Sequence, residues 1–251
     1  MQVAPEKSIL IPTAHDEPPI YYSIFNETFN LPRAILYSTT TERDFVNKRF
    51  KNNYIKSDIV GLGVDINENT QDIDLEKTFG IKDDFVIYVG RIDESKGCKE
   101  MFEYFLEYKK NYKNNLKLVL AGKNVMNIPK HKDILVLGFV SEDEKINLIK
   151  QAKLLVLPSK FESLSLSTLE SMYLGTPVLL NGECKVLKEH AILSNGGLYY
   201  ENKWEFIEAL NYLIEDPKTS EKMGENGRKY VNKNYKWDVV MKKLKEVIEF
   251  V

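Results

Sequence analysis

Two glutamates eight positions apart, Glu162 and Glu170, enclose a hydroxyl-rich segment at residues 163–168. An ionised carboxylate accepts hydrogen bonds from two hydroxyl groups, so acids of this kind suit a sugar or a ribose. The apolar run Leu154–Leu157 predicts a strand before them, and the residues up to Leu174 predict a helix. One acid would then lie on a loop and the other inside the helix, at the edge where open α/β sheets bind ligands. The alternative is a solvated loop acid and an ordinary acid on a helix surface.

The segment Gly90–Gly97 is a second candidate, because it follows the predicted strand Phe85–Val89 and precedes a predicted helix. Gly90 allows a close approach of the backbone, Arg91 offers a planar fork of donors, and Lys96 offers a point charge. Together with the N-terminus of the following helix, these groups predict an anion site. An ordinary turn with exposed basic residues is the alternative, and neither the Walker pattern nor the GxGxxG pattern is present.

The hydroxyl-rich segment Ser163–Thr168 leads into the predicted helix that carries the second glutamate. The first backbone N–H groups of a helix lack intrahelical partners, so this segment could receive another phosphate oxygen. Simple capping of the helix by Ser163 or Ser165 is equally natural. The two interpretations are compatible with one another.

A histidine, His15, follows the first predicted strand and could donate or accept a proton near a reacting centre. We expect no metal site there, because the adjacent residues His15, Asp16 and Glu17 cannot all face one ion, and no second histidine lies at helical spacing. A structural role is the alternative for His15. It is the expected role of His131 and His190, which have no comparable neighbours.

Hydrophobic periodicity predicts alternating strands and helices along nearly the whole chain. The predicted strands are Ser8–Ile11, Ala34–Tyr37, Asp58–Val60, Phe85–Val89, Leu116–Ala121, Ile134–Leu137, Leu154–Leu157 and Val178–Leu180. The predicted helices are Pro18–Phe29, residues 40–50, a helix ending near Tyr112, residues 142–151, the helix ending at Leu174, Trp204–Ile214, Ser220–Val231 and Trp237–Phe250. Strands that recur between helices are typical of an α/β protein with a doubly wound parallel sheet.

Composition excludes several classes of protein. The 35 basic and 37 acidic side chains nearly cancel, so no nucleic-acid partner is expected. The two cysteines, Cys98 and Cys184, are far apart and suit free thiols in a reducing, cytoplasmic environment. No apolar run approaches the ~20 residues that span a bilayer, and the start of the chain lacks the pattern of a signal peptide.

The predicted elements divide the chain unevenly. Residues 1–66 hold only about three strands, fewer than the five or six of an independent doubly wound domain. We therefore expect this part to be the tail of a domain whose beginning is absent, although a small lobe docked on the main domain is the alternative. Residues 67–84 predict a polar linker with a short helix at Leu75–Phe79, and residues 85–236 predict the main sheet.

Taken in order, several motifs resemble the family-4 (group 1) retaining glycosyltransferases, which have GT-B architecture. The resemblance is carried by Gly90–Gly97, Leu120–Gly122, Leu137–Val140, the pair Glu162 and Glu170, Gly175–Val178 and Gly196–Leu198. It implies two Rossmann-like domains, of which the C-terminal one, at residues 85–236, holds the nucleotide-sugar. Residues 1–66 would be the remnant of the N-terminal, acceptor-side domain. Residues 237–251 would form the C-terminal helix that crosses back to that domain.

The resemblance also implies a role for each matching residue. Arg91 and Lys96 would bind the donor diphosphate, Glu162 the transferred sugar, and Glu170 the ribose hydroxyls. His15 matches a histidine close to the sugar and diphosphate, so the implied catalytic residues are His15, Arg91, Lys96 and Glu162. Further donor-binding positions would be Gly90 in the loop of Arg91 and Lys96, Phe139 and Val140 near the base, and Leu164, Ser165, Leu166 and Thr168 around the phosphates. Many members have glycines where this chain has Ser163 and Ser165, which narrows close backbone approach there.

The implied reaction transfers a sugar from a UDP- or GDP-linked donor to a hydroxyl group of a glycan or lipid-linked glycan, with retention of configuration. No metal or other cofactor is expected, because basic groups can stabilise the leaving diphosphate. We expect this chain to be the donor-binding portion, with little transfer activity alone. The alternatives are a non-catalytic nucleotide-sugar-binding subunit and another GT-B enzyme, such as an epimerase or a phosphorylase. The sequence leaves open a peripheral membrane association of the full-length enzyme, at the inner face of the membrane, and an association through exposed apolar surface of the truncated N-terminal region.

Overall fold

The structure, a computed structural model, describes residues 4–67 and 70–251. The predictions for the first residues of the chain, and for Glu68 and Asn69 of the expected linker, lie outside the described residues. The chain divides into two compact units. The first unit comprises Met1–Asp65, Phe161–Ser165 and Lys233–Val251, and the second unit comprises Ile66–Lys160 and Leu166–Asn232.

Strands and helices alternate along both units. The strands are β1 (Ile9–Leu10), β2 (Ala34–Tyr37), β3 (Lys56–Ile59), β4 (Phe85–Val89), β5 (Lys117–Ala121), β6 (Ile134–Gly138), β7 (Leu155–Leu157), β8 (Val178–Asn181) and β9 (Gly197–Tyr200). The helices are α1 (Ile24–Asn30), α2 (Thr40–Phe50), α3 (Leu75–Phe79), α4 (Cys98–Asn111), α5 (Glu142–Gln151), α6 (Leu166–Leu174), α7 (Lys185–Ser194), α8 (Lys203–Glu215), α9 (Pro217–Asn234) and α10 (Trp237–Ile248). Short 3-10 helices occur at Pro5–Lys7, Pro18–Tyr21 and Glu94–Lys96.

Strand β2 is the centre of the first unit, whose three parallel strands follow the order β1-β2-β3. Ile35 and Tyr37 pack in one apolar cluster with residues of α1 and α2. Ala34 and Leu36 pack in a second cluster with residues of α10. Because successive side chains of a strand point to opposite faces, this four-residue apolar run is buried on both faces of the sheet.

The end of the chain is attached to the first unit by backbone as well as by apolar contacts. The Val64 N–H donates to the Tyr235 carbonyl oxygen at 2.8 Å, and the Lys243 ammonium donates to the Ile59 carbonyl oxygen at 3.0 Å. Gly63 lies so close to Trp237 that an added Cβ would be 2.3 Å from the indole ring. The last helix therefore belongs structurally with the sheet formed by the first residues of the chain.

The second unit is built on six parallel strands in the order β6-β5-β4-β7-β8-β9. From β4 the chain adds strands β5 and β6 on one side, and from β7 it adds β8 and β9 on the other. Strands β4 and β7 are therefore neighbours at the point where the direction of strand addition reverses, with Ile87 opposite Leu155. In open sheets of this kind, ligands bind in the crevice beyond the carboxyl ends of the strands at that point. The predicted α/β class with parallel sheets is confirmed, and the loops that follow β4 and β7 flank the reversal point.

Two elements of the second unit are absent from the sequence prediction. Helix α7 begins after Cys184, whose side chain makes no capping hydrogen bond, so the sequence carries no start signal for this helix. Strand β9 contains Gly197, and glycine pairs are more typical of turns. An added Cβ on Gly197 would lie 2.0 Å from the Val178 carbonyl oxygen, so the glycine serves close pairing with β8.

The single helix predicted at Pro18–Phe29 is wrong. A 3-10 helix at Pro18–Tyr21 ends at the extended residue Tyr22, and α1 begins only at Ile24. The residues of the predicted linker that the structure describes fall in the second unit and include α3, whose N-cap is Asp74. None of the helices among residues 4–67 and 70–251 has both the length and the apolarity needed to cross a membrane.

Candidate functional site

The loop after β4 is held rigidly by its own backbone and by Tyr88. The Tyr88 hydroxyl donates to the Arg91 carbonyl oxygen at 2.7 Å, while Ile92 is fully buried and pairs with the backbone near Asn124. Asp93 accepts from the Ser95 N–H at 2.8 Å and so caps the short 3-10 helix that ends the loop. The loop therefore presents its side chains from a fixed backbone.

Two of these side chains are basic. Arg91 is exposed, and its Nε lies 3.1 Å from a carboxylate oxygen of Asp93. The Ser95 N–H, and then the charges of Arg91 and Lys96, lower the pKa of Asp93. Lys96 is half-buried at the end of the 3-10 helix, and α4 begins two residues later. The loop thus offers two cations beside a helix N-terminus, which is an arrangement suited to an anion.

Glycines bring the neighbouring loops of the second unit into contact. An added Cβ on Gly97 would lie 2.3 Å from the carbonyl oxygen of Pro158, which follows β7. An added Cβ on Gly122, which follows β5, would lie 1.9 Å from the carbonyl oxygen of Gly90. The backbones that leave β4, β5 and β7 therefore touch one another, and no other residue type fits at these two positions without displacement.

The loop after β7 ends in a strained turn. Ser165, the residue before α6, has φ 67°, a left-handed conformation that side-chain-bearing residues rarely adopt. Leu164 and Ser165 are buried, Leu166 is exposed, and Thr168 is fully buried in the first turn of α6. The N-terminus of a helix favours negative charge, so the start of α6 is a second place suited to an oxyanion.

Glu170 lies inside α6, one helical turn past its start, with its side chain only 16 % exposed. Its Oε1 accepts a hydrogen bond from the Lys145 ammonium at 3.0 Å, and Lys145 also pairs with Glu142 at 2.8 Å. Burial raises the pKa of Glu170, and the charge of Lys145 opposes this effect. Sequence reasoning missed Lys145, because only the tertiary contact between α5 and α6 reveals its partner.

Phe139 and Val140 connect the carboxyl end of β6 to α5. Gly138, the last residue of β6, has φ 72°, and the Phe139 side chain is 90 % exposed. Helix α5 then starts with a capping box, in which Ser141 accepts from the Glu144 N–H and the Glu144 carboxylate accepts from the Ser141 N–H. The two residues therefore stand at the same edge of the sheet as the loop after β4.

The first unit contains His15 and the segment Phe161–Ser165. The His15 Nε2 lies 3.2 Å from the Glu17 carboxylate, and its Nδ1 lies 3.2 Å from the Thr13 carbonyl oxygen. The rings of His15 and Phe161 are 6.1 Å apart. His15 is thus beside the segment that carries Glu162, which is half-buried.

The backbone next to His15 is held by a buried carboxylate that sequence reasoning did not single out. Glu42 is 1 % exposed, and its two oxygens accept from the Ala14 and Ser38 N–H groups, each at 2.6 Å. Burial raises the pKa of Glu42 to about 7, although both backbone hydrogen bonds act in the opposite direction. The only sequence signal was the capping position that Glu42 occupies after Thr39.

The described residues contain no group of three or more histidine, cysteine or acidic side chains arranged to hold a metal ion. His190 is fully buried, with its Nδ1 3.1 Å from the Tyr230 hydroxyl, and His131 lies beside Asp133. Cys98 and Cys184 are buried and not disulfide-bonded.

The structure sorts the predicted site residues into two groups. The second unit holds Gly90, Arg91, Lys96, Phe139, Val140, Leu166, Thr168 and Glu170, and the first unit holds His15, Glu162, Leu164 and Ser165. Those of the second unit lie on loops that leave the carboxyl ends of strands or in the helix that follows β7. The topology of the sheet therefore brings the predicted site residues of the second unit to one edge.

Comparison with known proteins identifies the family. The profile of the family described as glycosyl transferases group 1 matches residues 70–230. The chain is 28 % identical over 195 residues to an uncharacterised glycosyltransferase of Methanocaldococcus jannaschii, a match that covers 71 % of this chain and 48 % of that protein. It is 25 % identical to the α-1,3/1,6-mannosyltransferase ALG2 of Dictyostelium discoideum, covering 92 % of this chain and 58 % of that protein. The chain thus spans about half the length of these curated relatives.

Solved structures share the fold. Sucrose-phosphate synthase from Thermosynechococcus elongatus superimposes with a TM-score of 0.77 at 16 % identity, over 97 % of this chain and 67 % of that one. Anabaena HepE, solved in complex with UDP and glucose, superimposes with a TM-score of 0.79 at 13 % identity, over 97 % of this chain and 71 % of that one. Since the family profile covers well over half of the sequence, this chain belongs to the group 1 glycosyltransferases.

Proposed function

We propose that this chain is the donor-binding portion of a retaining, family-4 glycosyltransferase that takes a UDP- or GDP-linked sugar. The observation that carries the proposal is the basic, glycine-lined loop Gly90–Gly97 at the reversal point of a parallel sheet, in a chain of the group 1 family. The presence of UDP and glucose in the HepE structure supports a nucleoside diphosphate as part of the ligand. The acceptor would be a hydroxyl group of a glycan or lipid-linked glycan.

Arg91 and Lys96 are the proposed ligands of the diphosphate. When the sugar leaves, negative charge develops on the phosphate oxygen that held it. Two cations fixed on a rigid loop stabilise that charge without reorganisation, and the N–H groups at the start of α6 add to the effect. Because these groups balance the negative charge of the leaving diphosphate, the proposed reaction needs no metal ion.

Glu170 and Glu162 have different proposed roles. Glu170, inside α6 and mostly buried, accepts hydrogen bonds from the ribose hydroxyls. Glu162, on the segment before α6, accepts hydrogen bonds from the sugar in transit. His15, whose ring nitrogens lie near Glu17 and Thr13, is proposed to lie close to the sugar and the diphosphate. The backbone near Phe139 and Val140 is proposed to hold the base.

In the proposed reaction the bond between the anomeric carbon and the phosphate oxygen breaks, and a bond to the acceptor oxygen forms on the same face of the sugar. The acceptor proton passes to the leaving phosphate oxygen, so the products are a glycoside and a nucleoside diphosphate. Configuration is retained because entry and departure share one face. The anomeric configuration of the product that the whole enzyme makes, measured by proton NMR, tests this point, and an inverted product would contradict it.

Calorimetry of UDP and GDP binding tests the donor site. We expect the wild-type chain to bind at least one of the two, and Arg91→Ala to weaken that binding by roughly 10-fold to 100-fold, the value of a charge-assisted hydrogen bond. Arg43→Ala is the matched control, since Arg43 pairs with neighbouring Asp44 at 2.9 Å much as Arg91 pairs with Asp93.

The control variant should bind as the wild type does. A folded wild-type chain that binds neither nucleoside diphosphate would overturn the proposed donor site. Equal losses in the Arg91→Ala and Arg43→Ala variants would show that the effect does not come from the loop after β4.

A further inference from the structure

Lys145 pairs with two carboxylates of the second unit, one on its own helix and one on the neighbouring helix α6. Its ammonium lies 2.8 Å from Glu142, on its own helix α5, and 3.0 Å from Glu170 on α6. The side chains of Lys145 and Glu170 are 17 % and 16 % exposed, whereas that of Glu142 is 63 % exposed. The contact between Lys145 and Glu170 is therefore the sheltered one, and Glu142 anchors the ammonium from the solvent side.

The contact involves only one oxygen of Glu170. Lys145 donates to Oε1, and the structure, over residues 4–67 and 70–251, shows no hydrogen bond to Oε2. An ion pair to Oε1 fixes the rotation of the carboxylate about its last bond and so fixes where Oε2 points. Without such a partner, a buried carboxylate rotates between alternatives and takes up a proton more readily.

We propose that Lys145 is a positioning residue for the nucleotide, which keeps Glu170 ionised and oriented so that Oε2 accepts a hydrogen bond from a ribose hydroxyl. The proposal rests on the proposed donor site, in which Glu170 binds the ribose. It assigns a role to a residue of α5 that lies outside both motifs singled out in the sequence, the loop after β4 and the pair of glutamates. The consequence is a preference for ribose over 2′-deoxyribose that depends on Lys145.

Electrostatics agrees with this geometry. Burial raises the pKa of Glu170, and the Lys145 charge is the largest influence that opposes this rise. Burial lowers the pKa of Lys145, but the hydrogen bond and charge of Glu142 and Glu170 more than offset this, so the net shift is upward. Glu142 and Lys145, both on α5, are the titratable groups that act on Glu170. Loss of the ammonium would therefore favour a protonated Glu170, whose O–H competes with the ribose hydroxyl as a donor.

The test compares UDP and GDP with their 2′-deoxy counterparts by calorimetry, at pH values from about 5 to 8. Lys145→Met keeps most of the side-chain length and removes the charge, and Lys145→Arg restores the charge. We expect Lys145→Met to weaken ribonucleotide binding about tenfold and to leave 2′-deoxy binding much less affected. We expect Lys145→Arg to recover most of the loss. Lys150→Met, at an exposed position on the same helix, is the control and should bind as the wild type does.

The pH profile separates positioning from a merely structural contact. As the pH is lowered, Lys145→Met should begin to lose ribonucleotide affinity at a higher pH than the wild type does, because Glu170 would gain a proton more easily. Lys145→Gln, which keeps a hydrogen-bond donor without the charge, serves as a second variant if Lys145→Met does not fold.

Two outcomes would overturn the inference. Equal weakening of ribonucleotide and 2′-deoxyribonucleotide binding would show that Lys145 acts on general stability of the site. Unchanged binding in folded Lys145→Met would show that Glu170 needs no partner. These two outcomes can be distinguished from a third, in which the wild-type chain binds no nucleoside diphosphate. That third outcome would refute the donor site itself and this inference with it.

Discussion

The two units fix the loops at the ends of their strands by different physical means. In the first unit a buried carboxylate, Glu42, gathers the backbone N–H groups of Ala14 and Ser38, which follow β1 and β2. In the second unit the loops after β4, β5 and β7 are in direct backbone contact at Gly97 and Gly122. One arrangement depends on an ionisable group and the other on the absence of side chains.

This difference has consequences for how each unit responds to change. A carboxylate whose pKa burial raises to about 7 makes the first unit sensitive to pH in the neutral range. Backbone contact at a glycine does not titrate, but it tolerates no added atom. The loops of the second unit should therefore be insensitive to pH and intolerant of substitution at these glycines, whereas the first unit should respond to pH through Glu42.

The largest effect is expected for Gly97→Ala in the second unit. Its added Cβ would lie 2.3 Å from the Pro158 carbonyl oxygen, and φ is 75°. Overpacking and a left-handed alanine together should lower the free energy of unfolding by about 4 kcal/mol. Urea unfolding followed by fluorescence of Trp204, in a Trp237→Phe background, reports on this unit.

Gly80→Ala is the matched control, because Gly80 has nearly the same φ of 71° and no atom within 4 Å of an added Cβ. It should lose only the conformational part, about 1–2 kcal/mol. If the two substitutions proved equally costly, backbone contact between the loops would not be what makes Gly97 necessary.

A smaller effect, of pH on the first unit, is expected from Glu42. Burial raises its pKa in the folded protein to about 7 from the ordinary value of 4.5. Its contribution to the free energy of unfolding is therefore complete below about pH 4.5 and is lost as the pH rises through 7. The loss amounts to about 3 kcal/mol at most, since each pKa unit corresponds to ~1.4 kcal/mol.

Glu42→Gln should remove this pH dependence between pH 5 and 7.5. Urea unfolding followed by fluorescence of Trp237, in a Trp204→Phe background, measures it in the first unit. Glu27→Gln, at an exposed position of α1, should leave the wild-type dependence intact. Parallel pH curves for the wild type and Glu42→Gln would mean that the buried carboxylate does not titrate in this range.

The smallest effect is expected at Lys51, where the first unit uses a side chain in a glycine-like conformation. Lys51 ends α2 with φ 54°, whereas Gly80 ends α3 in the second unit with φ 71°. Lys51→Gly should raise the free energy of unfolding of the first unit by about 0.5 kcal/mol, because relief of the left-handed strain exceeds the entropic cost of glycine. The same fluorescence assay detects it.

Lys48→Gly, one turn earlier in the exposed part of α2, is the control for this substitution. It should lower the free energy of unfolding by about 1 kcal/mol, since glycine is unfavourable inside a helix. Effects of the same sign at both positions would contradict a special role of the left-handed conformation at Lys51.

Local signals in the sequence determined much of the fold. The apolar runs Ala34–Tyr37 and Phe85–Val89 predicted β2 and β4 with their observed bounds, because a strand buried on both faces needs an unbroken apolar run. The helix predicted at residues 142–151 likewise coincides with α5, which the structure shows to begin with a capping box of Ser141 and Glu144. Alternation of such elements was enough to predict parallel α/β sheets, and the positions of Arg91, Lys96 and Glu170 after strand ends followed from it.

Long-range contacts decided the rest. Sequence alone could not reveal that Gly197 lies in a strand, that Ser165 is left-handed, or that Glu42 joins the ends of β1 and β2, because each depends on a neighbour distant in the chain. Nor could it pair Lys145 with Glu170, since that contact requires α5 and α6 to pack. The sequence by itself determined which residue types follow each strand. The tertiary structure decided which of them meet, because burial, close backbone approach and ion pairing arise only once separate elements are packed together.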